Sequence, residues 1–328
     1  MSESKSAIPL GMAVYEHAAA LIGAGLWEAS RSEELMFASH AKAYETYGHA
    51  PIVVGIDIYN LEAEALGATV TSGGPDAIPA IMDHPYSSLD DLLALNDFDP
   101  RAGRIPLVLG AAKRIAEEHP DADVRIPVAG PFSIAFNLVN LETLLCEIMS
   151  DPEKGSAALA RLVEIQVDFC REIHNSGLDI ALFESAATPP MFSPAAFEKI
   201  ELPVLKDLLT RAAEIVGHPL PCIIGGDTTP ILEAMLSTGT GYVVCPAETN
   251  QEAFMAIMAR YRDITVRVNM DSGVMSRGRS DEIRAEIRRI IELIGDRDKC
   301  CIGTGAIPYE TSPEAILGAK EYLAELTA

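Results

Sequence analysis

The 328-residue sequence predicts an α/β protein, a (β/α)8 TIM barrel built as a single domain over residues 1–328. Eight short apolar segments recur along the chain, and amphipathic stretches with a helical period lie between them. Strands buried on both faces read as continuous apolar runs, and their alternation with helices is typical of a parallel sheet. An open doubly wound sheet is the alternative, but no GxGxxG motif follows the first segment.

Each predicted strand is short and is bounded by Gly, Pro or Asp. The eight segments are 8–15, 52–58, 124–131, 179–185, 221–227, 241–246, 264–271 and 300–305. The clearest helical patterns between them are 153–174, 194–216 and 281–294. We expect Ser280 to cap the last of these helices and Gly295 to end it.

Charge and cysteine content limit the partners. The chain has 48 acidic and 25 basic residues, a formal net charge of −23, which argues against nucleic acid because phosphates are bound by Lys and Arg. The N-terminus lacks a signal pattern, and no apolar run reaches the roughly 18 residues of a membrane span. Six cysteines without CxxC spacing indicate reduced thiols. We therefore expect a cytoplasmic protein that binds neither nucleic acid nor membrane.

The active site of such a barrel lies at the carboxyl ends of the strands. Several acids gather there, and their mutual repulsion requires a proton, a metal or a cationic ligand, unless they cap helices, as Asp227 is placed to do. The polar and aromatic residues at these ends are Tyr15, Glu16, His17, Asp57, Phe132, Ser133, Glu184, Ser185, Asp227, Cys245, Glu248, Asn269, Asp271 and Thr304.

Five segments together resemble the uroporphyrinogen decarboxylase-like superfamily. They are "GPFSIAFNLVNLETLLCEIMSDPE" (130–153), "LFESAATPPMFSPAAF" (182–197), "GTGAIPYETSPEAI" (303–316), "IDIYNLEAEALG" (56–67) and "VRVNMDSGVM" (266–275). The resemblance implies a (β/α)8 barrel. One branch of the family decarboxylates uroporphyrinogen without a cofactor. The other moves methyl groups between a corrinoid protein and an acceptor, usually a thiol that zinc activates.

The decarboxylase branch fits the sequence poorly. Its octa-acid substrate requires arginines near the first strand, and the equivalent stretch 12–21, "MAVYEHAAAL", has none. The tyrosine and histidine of that branch fall at Asn137 and Thr304. The resemblance is therefore closer to the corrinoid-dependent methyltransferase branch.

The methyltransferase branch differs from this chain at its zinc site. Its His-x-Cys pair falls at Ile223 and Gly225, and its final cysteine falls at Ala306. Since Ile, Gly and Ala cannot bind a metal, we expect no metal site, and zinc is unlikely. A zinc site relocated to Cys245 and Cys301, with help from His17 or Glu248, is a weaker alternative.

Without zinc, the acceptor needs another chemistry. Gly225 and Gly226 leave space for a flatter acceptor, and the pterin of tetrahydrofolate needs positioning and proton transfer rather than a metal; the alternative is that the two glycines only form a turn. We then expect catalytic or hydrogen-bonding roles for Asp57, Glu184 and Asp227; the alternative for Asp57 is that it caps the helix at 60–66. The expected substrate-binding residues are Tyr15, His17, Phe132, Asn137, Ser185, Gly225, Gly226, Asn269, Asp271 and Thr304.

The sequence contains no Asp-x-His-x-x-Gly segment of the kind that binds a corrinoid. Cobalamin is therefore expected on a separate corrinoid protein, which would be the partner, together with a small-molecule methyl acceptor. The predicted function is corrinoid-dependent methyl transfer, with tetrahydrofolate as a possible acceptor. A decarboxylase acting on a less acidic substrate and a non-catalytic ligand-binding barrel are the alternatives.

Overall fold

Parallel strands form the wall of a barrel in the computed structural model, which describes residues 8–74, 77–96 and 98–327. Within these residues there are ten strands, and eight of them coincide with the eight predicted segments. The strands are β1 Leu10–Ala13, β2 Ile52–Val53, β3 Thr69–Thr71, β4 Ala80–Asp83, β5 Val124–Ala129, β6 Asp179–Glu184, β7 Ile223–Ile224, β8 Tyr242–Cys245, β9 Thr265–Asn269 and β10 Cys300–Ala306.

The barrel consists of two parallel four-stranded arcs, with strand orders β2-β5-β6-β7 and β1-β10-β9-β8. The arcs join where Cys222 pairs with Val243, and the Cys222 amide donates to the Tyr242 carbonyl at 3.1 Å. On the other side, Ala13 at the end of β1 and Val53 on β2 share the small apolar cluster inside the barrel. The predicted (β/α)8 barrel is confirmed.

Helices surround the strands. Their bounds are Glu16–Ala20, Leu26–Arg31, Glu33–Tyr47, Leu61–Ala65, Leu89–Leu93, Ile105–Glu118, Pro131–Leu138, Leu141–Ser150, Pro152–Asn175, Pro194–Ala196, Leu202–Val216, Leu232–Leu236, Gln251–Met258, Ser272–Arg277, Ser280–Ile294 and Pro313–Thr327. A π-helical turn spans Phe197–Glu201, and a 3-10 turn spans Thr229–Ile231. No helix within the described ranges is long and apolar enough to cross a membrane.

Strand periodicity separates the two cores of the barrel. On β9, Val266 and Val268 are fully buried against the helix layer, whereas Arg267 and Asn269 face the barrel interior and its cavities. On β6, Phe183 belongs to the interior cluster. Because side chains alternate along a strand, every second residue reaches the barrel axis.

The predicted helix ends are mostly accurate. The stretch predicted as 153–174 spans Pro152–Asn175, and Gly295 ends the helix after Ile294 with φ 63°. The predicted Ser280 cap is wrong, because Ser280 is the first helical residue and the extended residue before it is Arg279. The backbone turns helical one residue earlier than the serine signal indicates.

The sequence analysis missed an antiparallel hairpin formed by β3 and β4, which stands outside the barrel. Its Thr69–Thr71 strand pairs with Ala80–Asp83, and residues 78–81 reach the barrel mouth. The hairpin therefore adds to the wall of the site without contributing a barrel strand.

Candidate active site

A cavity of about 530 Å³ lies at the carboxyl ends of the barrel strands. All eight barrel strands contribute to its lining, through their last residues or through the loops and helices that follow. This is where a (β/α)8 barrel places its site. The predicted site residues that line it are Tyr15, Asp57, Asn137, Ser185, Gly225, Gly226 and Asn269.

The other predicted site residues do not themselves line the cavity. His17 Nε2 lies 2.8 Å from the Tyr47 hydroxyl, and burial lowers the pKa of His17. Phe132 is fully buried against another phenylalanine ring, and Thr304 Oγ1 accepts a β1 backbone N–H at 3.2 Å. Asp271 caps the helix that follows β9. Their substrate-binding roles stay predictions, without support from their placement.

Asp57 forms a buried ion pair with Arg104. Arg104 Nη1 and Nη2 donate to Asp57 Oδ1 and Oδ2 at 2.7 Å each, and Asn60 Nδ2 donates to Oδ2 at 3.0 Å. The Arg104 guanidinium also pairs with Glu64. Asp57 therefore holds the loop after β2 to the start of the helix at Ile105. Arg104 lies 47 residues further along the chain, so no local sequence signal pointed to it.

Glu184 is fully buried behind the cavity wall. It accepts hydrogen bonds from Ser133 Oγ at 2.6 Å and from the Ala186 amide at 3.0 Å, and so it fixes the turn that carries Ser185 into the cavity. The π-helical turn places a second buried acid, Glu201, beside it. Burial and the charge of Glu184 raise the pKa of Glu201 well above its usual value, and burial raises the pKa of Glu184. Burial and the mutual repulsion of the two carboxyls both favour the protonated form of this pair.

The Gly225-Gly226-Asp227 turn serves two purposes. Gly226 has φ +79°, and a Cβ there would lie 2.9 Å from Thr188 Oγ1, so the turn requires a glycine at this position. A Cβ on Gly225 would meet only a serine hydroxyl at 3.7 Å, so this position leaves open space. Asp227 does not cap the following helix; its Oδ1 accepts from Thr249 Oγ1 at 2.8 Å.

Aromatic and amide groups line the cavity between these turns. The Tyr59 hydroxyl lies 2.5 Å from Ser185 Oγ, and Asn137 Nδ2 donates to the Tyr59 carbonyl at 2.7 Å. The rings of Tyr15 and Tyr59 both pack edge-on against Phe183. The sequence analysis missed Tyr59, although it follows β2 as Asp57 does.

Glu16 brings a titratable carboxyl to the cavity rim. It directly follows Tyr15, is 8 % exposed and lines the cavity. Burial raises its pKa to about 7, and the charge of Glu310 adds to the rise. A group with this pKa exchanges a proton near neutral pH, as a general acid or base must.

Zinc does not fit the residues of this cavity. Ile223, Gly225 and Ala306, which stand at the family's ligand positions, all line it and offer no donor atom. Cys245 is fully buried outside the cavity lining, and burial raises its pKa to about 12, which favours the neutral thiol over the thiolate form that binds zinc. Among the described residues no three His, Cys, Asp or Glu side chains converge on a point that could hold a metal.

The family model for uroporphyrinogen decarboxylase (URO-D) matches residues 3–322. The chain therefore belongs to this family, which confirms the resemblance inferred from its motifs. Its fold matches that of a methyltransferase from Methanosarcina mazei with a TM-score of 0.84 and 22% sequence identity, over 98% of this chain and 95% of the other.

Two curated relatives carry the same name, methylcobamide:CoM methyltransferase MtbA. The protein from Methanosarcina acetivorans is 26% identical over 217 residues, which are 65% of this chain and 63% of the relative. The protein from Methanosarcina mazei is 25% identical over 221 residues, 66% of this chain and 64% of the relative. The match thus spans slightly less than two thirds of either relative.

Proposed function

We propose that this protein is a corrinoid-dependent methyltransferase that moves a methyl group between a methylcobalamin-carrying protein and a small acceptor bound in the cavity. The observation that carries the proposal is the combination of two methylcobamide methyltransferase relatives with a mostly apolar cavity at the barrel mouth into which a few polar groups project. A cavity of about 530 Å³ has the size of a small-molecule site. The corrinoid then belongs to a partner protein that docks at the open mouth.

The acceptor we favour is a flat nitrogen compound such as the pterin of tetrahydrofolate, rather than a thiol on zinc. The three apolar residues at the ligand positions remove the means of activating a thiol. Asn269 lines the cavity, and within the described residues its Oδ1 has no hydrogen-bond partner, so this side chain offers an amide group to a ring N–H. Aromatic walls formed by Tyr15, Tyr59 and Phe183 suit a planar ring.

The proton balance of this reaction gives Glu16 a role. A methyl-carrying corrinoid supplies the methyl carbon and keeps the electron pair of the broken cobalt–carbon bond. When the acceptor nitrogen bonds to that carbon, its N–H proton must leave, and the Glu16 carboxylate receives it. Asp57, Glu184 and Asp227 remain proposed catalytic residues, and their contacts support positioning roles: each holds a loop that lines the cavity.

A second candidate, decarboxylation of a less acidic substrate, draws support from one cation. Arg267 lies at the floor of the cavity, where it is placed to hold a substrate carboxylate. A non-catalytic ligand-binding barrel is the remaining alternative, and loss of the methyl–cobalt spectrum distinguishes the methyltransferase from both.

An anaerobic absorbance assay tests the proposal. The protein is mixed with methylcobalamin and, in separate cuvettes, with tetrahydrofolate, coenzyme M or homocysteine, and loss of the methyl–cobalt spectrum is followed. Of the three acceptors, we expect only tetrahydrofolate to demethylate methylcobalamin. The demethylation rate should fall strongly in Glu16→Gln and be retained in the control Glu248→Gln, which changes an exposed acid at the cavity rim. Turnover with a thiol alone would contradict the pterin acceptor. No turnover with any acceptor, even from a purified methylated corrinoid protein, would reject the methyltransferase.

A further inference from the structure

Arg267 occupies the centre of the barrel. It lines the candidate active site and also a second cavity of about 300 Å³ at the opposite end of the barrel. The residues common to both linings form a layer across the barrel, and they are Tyr15, Phe183, Ile223 and Arg267. Arg267 is thus the cation of the layer that forms the floor of the site.

Two glycines make room for the Arg267 side chain. A Cβ on Gly303 would lie 2.8 Å from Arg267 Cγ, and a Cβ on Gly11 would lie 3.2 Å from Cδ. Larger residues on these neighbouring strands would displace the aliphatic stem. The aliphatic stem of the arginine is therefore held in a fitted slot against β10 and β1.

Among the described residues no carboxylate lies against the Arg267 guanidinium, and its protein hydrogen-bond partner is the Tyr242 hydroxyl. Arg267 Nε is buried without a hydrogen-bond partner, and the groups facing Arg267 among the described residues are Tyr15, Tyr242 and Cys301 rather than carboxylates. Burial raises the pKa of all three, so they are neutral at pH 7. Arg104, by contrast, is paired with two carboxylates. Arg267 is half-buried, and an arginine charge partly removed from water without a carboxylate beside it is suited to bind an anion.

From this geometry we infer that Arg267 anchors the acidic group, a carboxylate or sulfonate, of the methyl acceptor. The inference rests on the proposed function, because it assigns the end of the acceptor opposite to the atom that is methylated. The planar donor fork of arginine matches two oxygens of either anion. An anchor at the floor directs the reactive end toward the mouth, where Glu16 lies and a corrinoid partner has access.

Titration calorimetry with unreactive probes tests the anchor without relying on turnover. Benzoate and benzenesulfonate distinguish the two anions, and benzyl alcohol is the neutral probe of similar shape, all at one ionic strength. We expect the better acid to bind at least about tenfold more tightly than the alcohol, and Arg267→Met to abolish the preference. The control Arg260→Met, at an exposed position, should keep it. Equal binding of acids and alcohol, or an unchanged preference in Arg267→Met, would overturn the inference.

Two further variants fix the binding face. Asn269 and Thr265 lie on the same face of β9, on opposite sides of Arg267, one lining each cavity. Asn269→Leu should weaken binding of the acid, and Thr265→Leu should leave it unchanged; the reverse result would place the anion in the opposite cavity and refute the assignment.

Thermal melting provides an independent readout, since Arg267→Met removes an unpaired charge and should not lower the melting temperature. A clear loss of thermal stability would indicate a structural arginine instead. Acid-selective binding without methyl transfer would reject the proposed function and leave the anchor intact.

Discussion

The ion pair between Asp57 and Arg104 allows a quantitative test of what Asp57 does. Both side chains are almost fully buried, with 2 % and 6 % of their surfaces exposed, and two hydrogen bonds of 2.7 Å join them. Asp57→Asn keeps the shape of the side chain but removes its charge and one acceptor oxygen. Breaking a buried pair by changing one partner costs about 3–5 kcal/mol, and we expect the lower end because Glu64 still pairs with the guanidinium.

Thermal unfolding measures this cost. With an unfolding entropy of about 2 cal/mol/K per residue, each kcal/mol lost from 328 residues lowers the melting temperature by about 1.5 °C. Asp57→Asn should therefore melt about 4–5 °C below the wild type in scanning calorimetry. Glu233→Gln, which changes an exposed pair with Arg260, is the matched control and should melt with the wild type.

Changing both partners of the Asp57–Arg104 pair gives a second test of its role. Replacing both partners, as Asp57→Leu with Arg104→Met, should cost less than Asp57→Asn alone, since no buried charge is left unpaired beside the apolar leucine. A melting temperature of Asp57→Asn within about 1 °C of the wild type would refute the structural role. If turnover fell sharply while stability stayed constant, Asp57 would be a catalytic group, as the sequence alone suggested.

Four other predictions test the site. Glu16→Gln should lower methyl transfer at least about tenfold and remove an inflection near pH 7 from the rate profile, whose activity rises with pH as the base ionises. Folding raises the Glu16 pKa from 4.5 to about 7, so this acid destabilises the fold progressively as the pH rises between those values. Glu16→Gln should therefore raise the melting temperature at pH 8 and leave it unchanged at pH 4. Equal effects at both pH values would contradict the burial argument. Gly226→Ala should cost about 1–2 kcal/mol in denaturant unfolding because of its positive φ, whereas Gly225→Ala should stay within about 0.5 kcal/mol, and similar losses in both would show that Gly225 also serves the turn. Elemental analysis of anaerobically purified protein should find substoichiometric zinc, and one tightly held zinc per chain would mean that other residues rearrange to bind it.

Buried parallel strands are readable from sequence because both of their faces are apolar. β5, Val124–Ala129, sits between the barrel interior and the helices, and its run has no polar side to interrupt it except Arg125. The hairpin of β3 and β4 lacks this signal, since most of its residues are exposed or half-buried and only Val70 is buried. Its short β-branched stretch before two glycines is the signal that was available.

At the ends of the strands, the direction of each side chain decided which predictions reached the cavity. Ser185 follows Phe183 at an interval of two residues and faces inward, whereas Glu184 between them faces the helix layer. Arg267 lies two residues before Asn269 on the same strand, so the same alternation puts both side chains on the inner face. The position of Arg267 relative to the predicted site residue Asn269 was therefore a usable sequence signal for it. Arg104 and Glu201 gave none, because tertiary packing alone brings them to Asp57 and Glu184.

The outlying hairpin has a consequence for how such a protein can change its ligand. Residues 78–81 form part of the cavity wall, yet neither hairpin strand hydrogen-bonds to the barrel arcs. Substitutions or length changes in this segment alter the shape of the cavity wall without removing hydrogen bonds between barrel strands. The range of molecules that the cavity accepts can therefore change while the barrel keeps its stability.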